Sequence, residues 1–145
     1  MKKYMTSTVI YEGELRTVAR HLASGTRIET DAPVDNQGKG EKFSPTDLVA
    51  TALGSCMLTV MGMKARDLKV DLINTRIEIQ KLMKPDPRRI GGIQLTFHFP
   101  DSLQATEKER LILERAGNTC PVRYSIHPDI IVELTYNWPA VTAAQ

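Results

Sequence analysis

The stretch Ser44-Pro45-Thr46-Asp47-Leu48-Val49-Ala50-Thr51-Ala52-Leu53-Gly54-Ser55-Cys56-Met57-Leu58-Thr59-Val60-Met61-Gly62-Met63 decides the fold. It opens as a helix should. Ser44 suits the N-cap, Pro45 the first helical position, and Asp47 at the third completes a capping-box-like arrangement. The spacing predicts a helix from about Pro45 to about Arg66. From Leu48 to Met63 every side chain is apolar or small, so the helix has no ordinary solvated side. Ala50, Ala52, Gly54 and Ser55 let another backbone come close. Two coverings are open: a second copy of the chain, which the missing polar face favours, or the protein's own sheet.

Outward from that helix the pattern alternates between strands and turns. Residues 6–21 read as strand with a bend near Gly13, Ser24-Gly25 as a turn, and 26–30 as another strand. Residues 31–43 form a loop rich in turn formers. Beyond the helix, 70–82 read as strand, 84–87 as a turn, and Ile93, Leu95, Phe97 and Phe99 alternate with polar residues, predicting an antiparallel hairpin with one buried face. Thr106-Glu107-Lys108-Glu109 is a capping box for a second helix stopping near Gly117-Asn118. Cys120-Pro121 opens a short third helix, and 129–138 is a final strand. The class is α+β, and the chain reads as a single domain over 1–145.

The 145 residues carry a net charge of +2, with scattered basic residues such as Lys2-Lys3 and Arg88-Arg89, and 6% aromatics. A basic face with stacking rings is missing, which argues against nucleic acid as a partner. No signal-like segment is evident, and the charge-free run is shorter than a membrane span, so no membrane partner and a cytoplasmic location are expected.

Cys56 and Cys120 are the only cysteines. Neither has a second cysteine at metal-ligand spacing, and His21, His98 and His127 are dispersed, so no metal site is expected. In a reducing compartment such a pair points to redox chemistry more than to stapling. A free cysteine is most often a small buried hydrophobe. At mid-helix Cys56 gains little from its own helix dipole, so a reactive thiolate there needs a borrowed cation. An arginine ~4 Å away at an effective dielectric near 20 contributes about 4 kcal/mol, or about three pKa units. Cys120 instead can draw on a helix start of its own.

Thr30-Asp31-Ala32-Pro33, Ser44-Pro45-Thr46-Asp47-Leu48, Ala52-Leu53-Gly54-Ser55-Cys56 and Cys120-Pro121-Val122 together resemble the OsmC/Ohr family of osmotically inducible and organic-hydroperoxide-resistance proteins. The resemblance covers nearly the whole chain. It implies an intertwined homodimer with two central long helices inside antiparallel sheets, and active sites at the subunit interface. It implies Cys56 as the peroxidatic and Cys120 as the resolving cysteine, with Arg16 as the activating arginine and Arg20 next in line. The family's peroxidase branch has a glutamate ten positions before the peroxidatic cysteine, pairing with the arginine. Here Thr46 stands there and Asp47 follows it.

The function expected is a thiol-dependent peroxidase acting on organic peroxides or hydrogen peroxide, in stress defence. It would need no bound cofactor, only an external dithiol or redox protein as reductant. A binding protein for a small hydrophobic ligand, lined by methionines such as Met57, Met61 and Met63, is the second expectation. A cysteine hydrolase is the third.

Overall fold

A computed structural model describes residues 5–141; Lys2, Lys3 and the terminus inspected for a signal segment lie outside the described residues. The chain divides into two compact units, Met1–Val49 and Ala50–Gln145.

The first unit is an antiparallel meander of β1 (Ser7–Gly13), β2 (Arg16–His21) and β3 (Arg27–Asp31) in that order. The β1–β2 connection is the two-residue loop Glu14-Leu15, with φ of 53° and 65°. Two left-handed residues suit the twist of a tight hairpin, but side chains larger than Gly or Asn make this costly. Three contacts hold the loop: the Leu15 amide donates to the Tyr11 hydroxyl at 3.2 Å, the Ala32 amide donates to the Leu15 carbonyl at 3.1 Å, and Lys39 pairs with Glu14 at 2.7 Å.

After β3 the chain makes a 3-10 turn at Val34–Asn36 and folds back along itself. The Gly40 amide donates to the Ala32 carbonyl at 3.1 Å and the Asp31 amide to the Phe43 carbonyl at 3.1 Å. This return depends on Gly38, where a Cβ would sit 1.7 Å from the Ala32 carbonyl oxygen. Backbone cannot yield there as a side-chain tip would. Gly38→Ala should therefore cost about 2 kcal/mol or more in urea unfolding. A cost within experimental error would mean that the loop takes another path.

The long helix α1 (Pro45–Leu68) starts as its sequence signals. Ser44 Oγ accepts the Asp47 amide at 3.0 Å, and Asp47 Oδ2 accepts the Ser44 amide at 2.9 Å. α1 runs two residues past the expected Arg66. Its end is a Schellman turn: Val70 donates to the Ala65 carbonyl, Lys69 to the Arg66 carbonyl, and Lys69 takes φ 59°. Glycine, the usual residue at that position, would have marked the stop in the sequence.

In the second unit the expected strand over 70–82 starts late. β4 is Arg76–Lys84. Residues 70–75 turn instead, because Asp71 Oδ1 captures the Ile73 amide at 2.9 Å and Asn74 adopts φ 72°. β5 (Arg89–His98) pairs antiparallel with β4, setting Ile77 against Phe97 and Ile79 against Leu95. α2 (Glu107–Gly117) has the expected capping box: Thr106 Oγ1 accepts the Glu109 amide and Glu109 Oε1 accepts the Thr106 amide. After the short α3 (Pro121–Ser125) comes β6 (Ile131–Asn137), which joins β5 in parallel and completes the order β4-β5-β6. Antiparallel pairing was expected throughout, but the crossover through α2 and α3 is long enough to return the chain in the same direction, so this sheet is mixed.

The core of this unit lies between α1, the sheet and α2. Leu53, Met57, Met61, Ile93, Leu95, Phe97 and Leu113 are completely buried. Gly54 serves this packing: a Cβ there would lie 2.7 Å from Ile79 Cδ1. Part of the small-residue run thus accommodates the protein's own sheet. A second stripe of α1 remains exposed, through Val49, Ala52, Ser55, Thr59 and Met63. By length and composition α1 could cross a membrane, yet its Ala50, Leu53, Met57, Met61 and Ala65 face forms the core of the unit, as in a soluble fold.

Candidate active site

α1 places Cys56 midway along its length, half-buried and one turn from the exposed stripe. α3 places Cys120 at its own N-cap, with Pro121 at the first helical position. Cys120 Sγ accepts the Arg123 amide at 3.3 Å, as expected of a cysteine at a helix start. The cap does not prevail electrostatically. Cys120 is wholly buried, and burial pushes its thiol above the ordinary value, against the lowering effect of the Arg123 amide. The helix start was expected to favour thiolate there; desolvation is the larger effect.

The structure brings the two cysteines together. After burial, the neighbouring Cys56 also raises the Cys120 thiol. Both are free thiols. They differ in access: Cys56 is partly open to solvent and Cys120 is closed off. Brief iodoacetamide treatment of the native protein should label Cys56 at least about tenfold faster than Cys120, since alkylation needs an accessible thiolate. Peptide mass mapping reads this, and equal labelling would contradict the assigned burial.

Arg16 and Arg20 lie on β2 in the first unit. Arg16 is clamped. Its Nε and Nη2 donate to Asp31 Oδ1 and Oδ2, both at 2.7 Å, and Nη2 also donates to Glu41 Oε1 at 3.0 Å. Such a fork is the strong form of an arginine–carboxylate bond. Asp31 is 1% exposed. Hydrogen bonds from Arg16 hold its carboxyl below the ordinary value although burial opposes this, and Asp31 in turn pushes the Arg16 pKa up. Arg20 is exposed, with its guanidinium beside the turn at Gly25. Asp47 is engaged in the α1 cap, and Thr46 Oγ1 lies 3.2 Å from Ser44 Oγ in the same first turn.

Sequence reasoning missed Asp31 and Glu41 as partners of Arg16. A signal existed, because Asp31 stands in one of the quoted motifs and lies directly opposite Arg16 in the β2–β3 register. The histidines have other occupations. His21 bonds Ser24, His98 contacts Glu78 and Asn137, and His127 accepts the Asp129 amide; none bonds a cysteine. Among the described residues no group of three or more His, Cys, Asp or Glu side chains is placed to hold a metal.

The OsmC-like protein family model matches residues 38–135, which include both cysteines. No curated protein matches the chain. Among solved structures, a protein of Psychrobacter arcticus 273-4, provisionally described as an osmotic stress induced and detoxification response protein, is 48% identical. It matches over 94% of this chain and 98% of that one, with a TM-score of 0.89. The organic hydroperoxide resistance protein OsmC of Legionella pneumophila is 17% identical over 94% and 100% of the two chains, with a TM-score of 0.72. The OsmC like protein of Mycoplasma pneumoniae is 14% identical over 97% and 100%, with a TM-score of 0.77. The last two share the fold, while the family model and the Psychrobacter protein show kinship: the chain belongs to the OsmC-like family.

Proposed function

We propose that the protein is a thiol-dependent peroxidase of stress defence. One observation carries the reading: a half-buried thiol, Cys56, beside a buried one, Cys120, in a chain with no other cysteine. The Cys56 thiolate attacks the nearer peroxide oxygen. The O–O bond breaks, the alkoxide leaves and takes a proton to become the alcohol, and Cys56 becomes a sulfenic acid. Cys120 then attacks the sulfenic sulfur, an S–S bond forms and water leaves. An external dithiol or redox protein reduces the disulfide by exchange and is itself oxidised. The cycle uses no metal or bound cofactor.

Arg16 is assigned to stabilise the Cys56 thiolate and the charge growing on the departing oxygen. The exposed α1 stripe is assigned to a homodimer contact, because a charge-free face of small residues gains by being covered. The protein is assigned to the cytoplasm, where thiols are kept reduced. The descriptions of the Psychrobacter and Legionella proteins, detoxification and hydroperoxide resistance, agree with this reading. The test is consumption of cumene hydroperoxide and hydrogen peroxide with dithiothreitol, wild type against Cys56→Ser. Equal, negligible turnover by both proteins would sink the enzyme reading.

A second reading has one observation in its favour. An open groove of about 440 Å³ lies between α1 and α2, lined by Val60, Met63, Ile112 and Ala116 and bordered by Lys64 and Arg115. It could hold a small hydrophobic ligand while the cysteines stay idle. Met57 and Met61, expected in such a lining, are core residues. Intact mass after one equivalent of peroxide separates the readings. Loss of two hydrogen atoms, taken up by the peroxide, marks the redox cycle; an unchanged mass favours binding.

A further inference from the structure

Val60, Met63, Lys64 and Asp67 recur at helical spacing and form one stripe of α1. Ile112, Arg115 and Ala116 do the same on α2. The two helices touch one residue away from these stripes, where a Cβ on Gly117 would lie 3.0 Å from Met61 Cγ. Both stripes line the open groove of about 440 Å³, a volume within the range of roughly 300–1,000 Å³ usual for small-molecule sites. Its α1 wall, from Val60 to Asp67, is about 10 Å long. Val60, Ile112 and Ala116 are half-buried, whereas Lys64, Asp67 and Arg115 are exposed. These three charged side chains have no hydrogen bond and no ion pair among the described residues. Elsewhere cations close to acids are paired, as Arg16 with Asp31 and Lys39 with Glu14. The groove thus joins an apolar bed to two unpaired cations, one from each helix, against a single acid.

We propose that this groove binds an amphiphilic carboxylate, with its apolar chain along Val60, Ile112 and Ala116 and its head group held by Lys64 and Arg115. The proposal rests on the groove of the binding reading and names its ligand class, and it holds whether or not the cysteines turn over. The chain gains by leaving water, and the head group gains charge-assisted hydrogen bonds from the two cations. Asp67 opposes the head group, so its charge sets a sign: removing it tightens binding. Of the lining residues, Met63 alone belongs to the α1 stripe assigned to the homodimer contact.

The experiment is calorimetric titration of the full-length protein with decanoate, below its micelle-forming concentration and at low ionic strength. Decyltrimethylammonium, with the same chain and the opposite head charge, is the comparison. Lys64→Gln, Arg115→Gln and Asp67→Asn change exposed side chains, and circular dichroism verifies their folding. Decanoate should bind saturably, and decyltrimethylammonium at least about tenfold more weakly. Each glutamine variant should raise the decanoate Kd by about tenfold, and Asp67→Asn should lower it by about twofold. Cys56→Ser should bind as the wild type does, so a failed titration leaves the peroxidase reading standing, and failed turnover leaves the groove standing. Equal binding of the two probes, an unchanged Kd in the glutamine variants, or a raised Kd in Asp67→Asn overturns the head-group site and leaves an apolar binding groove. Binding of neither probe overturns both.

Discussion

Cys56→Ser should abolish peroxide consumption, with a loss of at least about 10³-fold in the rate of the first turnover. Serine preserves the shape of the site and removes the one group able to attack oxygen, because its hydroxyl stays protonated where a thiol begins to ionise. The companion variant Cys120→Ser should behave differently. It should still consume about one equivalent of peroxide per chain, since attack precedes resolution. It should then stall as a sulfenic acid and gain a second oxygen with excess peroxide. Intact-mass spectra after stoichiometric and excess peroxide distinguish the two. If Cys120→Ser turns over with dithiothreitol at the wild-type rate and gives no sulfinic product, Cys120 is not the resolving group.

Phe97→Ala should cost about 3–5 kcal/mol of stability, the largest expected for a single side chain here. Phe97 is fully buried on β5, the central strand, with ring centroids 4.9 Å from Tyr136 and 6.2 Å from Phe99. Its removal leaves a cavity between the sheet and α1 that rigid neighbours fill only partly. Against a typical total of about 5–15 kcal/mol, that loss brings the second unit near unfolding. Phe97→Leu, which keeps most of the volume, should cost distinctly less. Urea unfolding gives the comparison. Because Cys120 belongs to the same core, the alanine variant should also expose that thiol to alkylation. A cost below about 1 kcal/mol would contradict the packing described.

Sequence legibility followed the range of the interactions. Both helix starts were readable because each is a four-residue event: Ser44 with Asp47, and Thr106 with Glu109. The N-cap position of Cys120 was readable for the same reason, with Pro121 beside it. The Cys120 thiol misled, because its burial depends on residues distant in sequence. The start of β4 was missed where apolar Val70, Leu72 and Ile73 imitate a strand while Asp71 and Asn74 turn the chain. Gly54 was read as room for a foreign backbone, and Ile79 fills that room. The carboxylate on Arg16 was expected at the start of the long helix, at Thr46 or Asp47. It lay across the hairpin, where the β2–β3 register sets Asp31 opposite Arg16.

The parallel junction of β6 with β5 also bears on how the chain is made. β5 is the middle strand of its sheet, yet one of its two neighbours, β6, is synthesised only after α2 and α3. Until residues 131–137 arrive, β5 holds β4 on one side and a bare row of amides and carbonyls on the other. Nascent chains paused before that point carry an apolar strand, Ile93, Leu95 and Phe97, with an open edge, which is the usual starting point for misassembly. Ribosome-bound chains ended between α3 and β6 should therefore bind holding chaperones, and chains extended through Asn137 should release them.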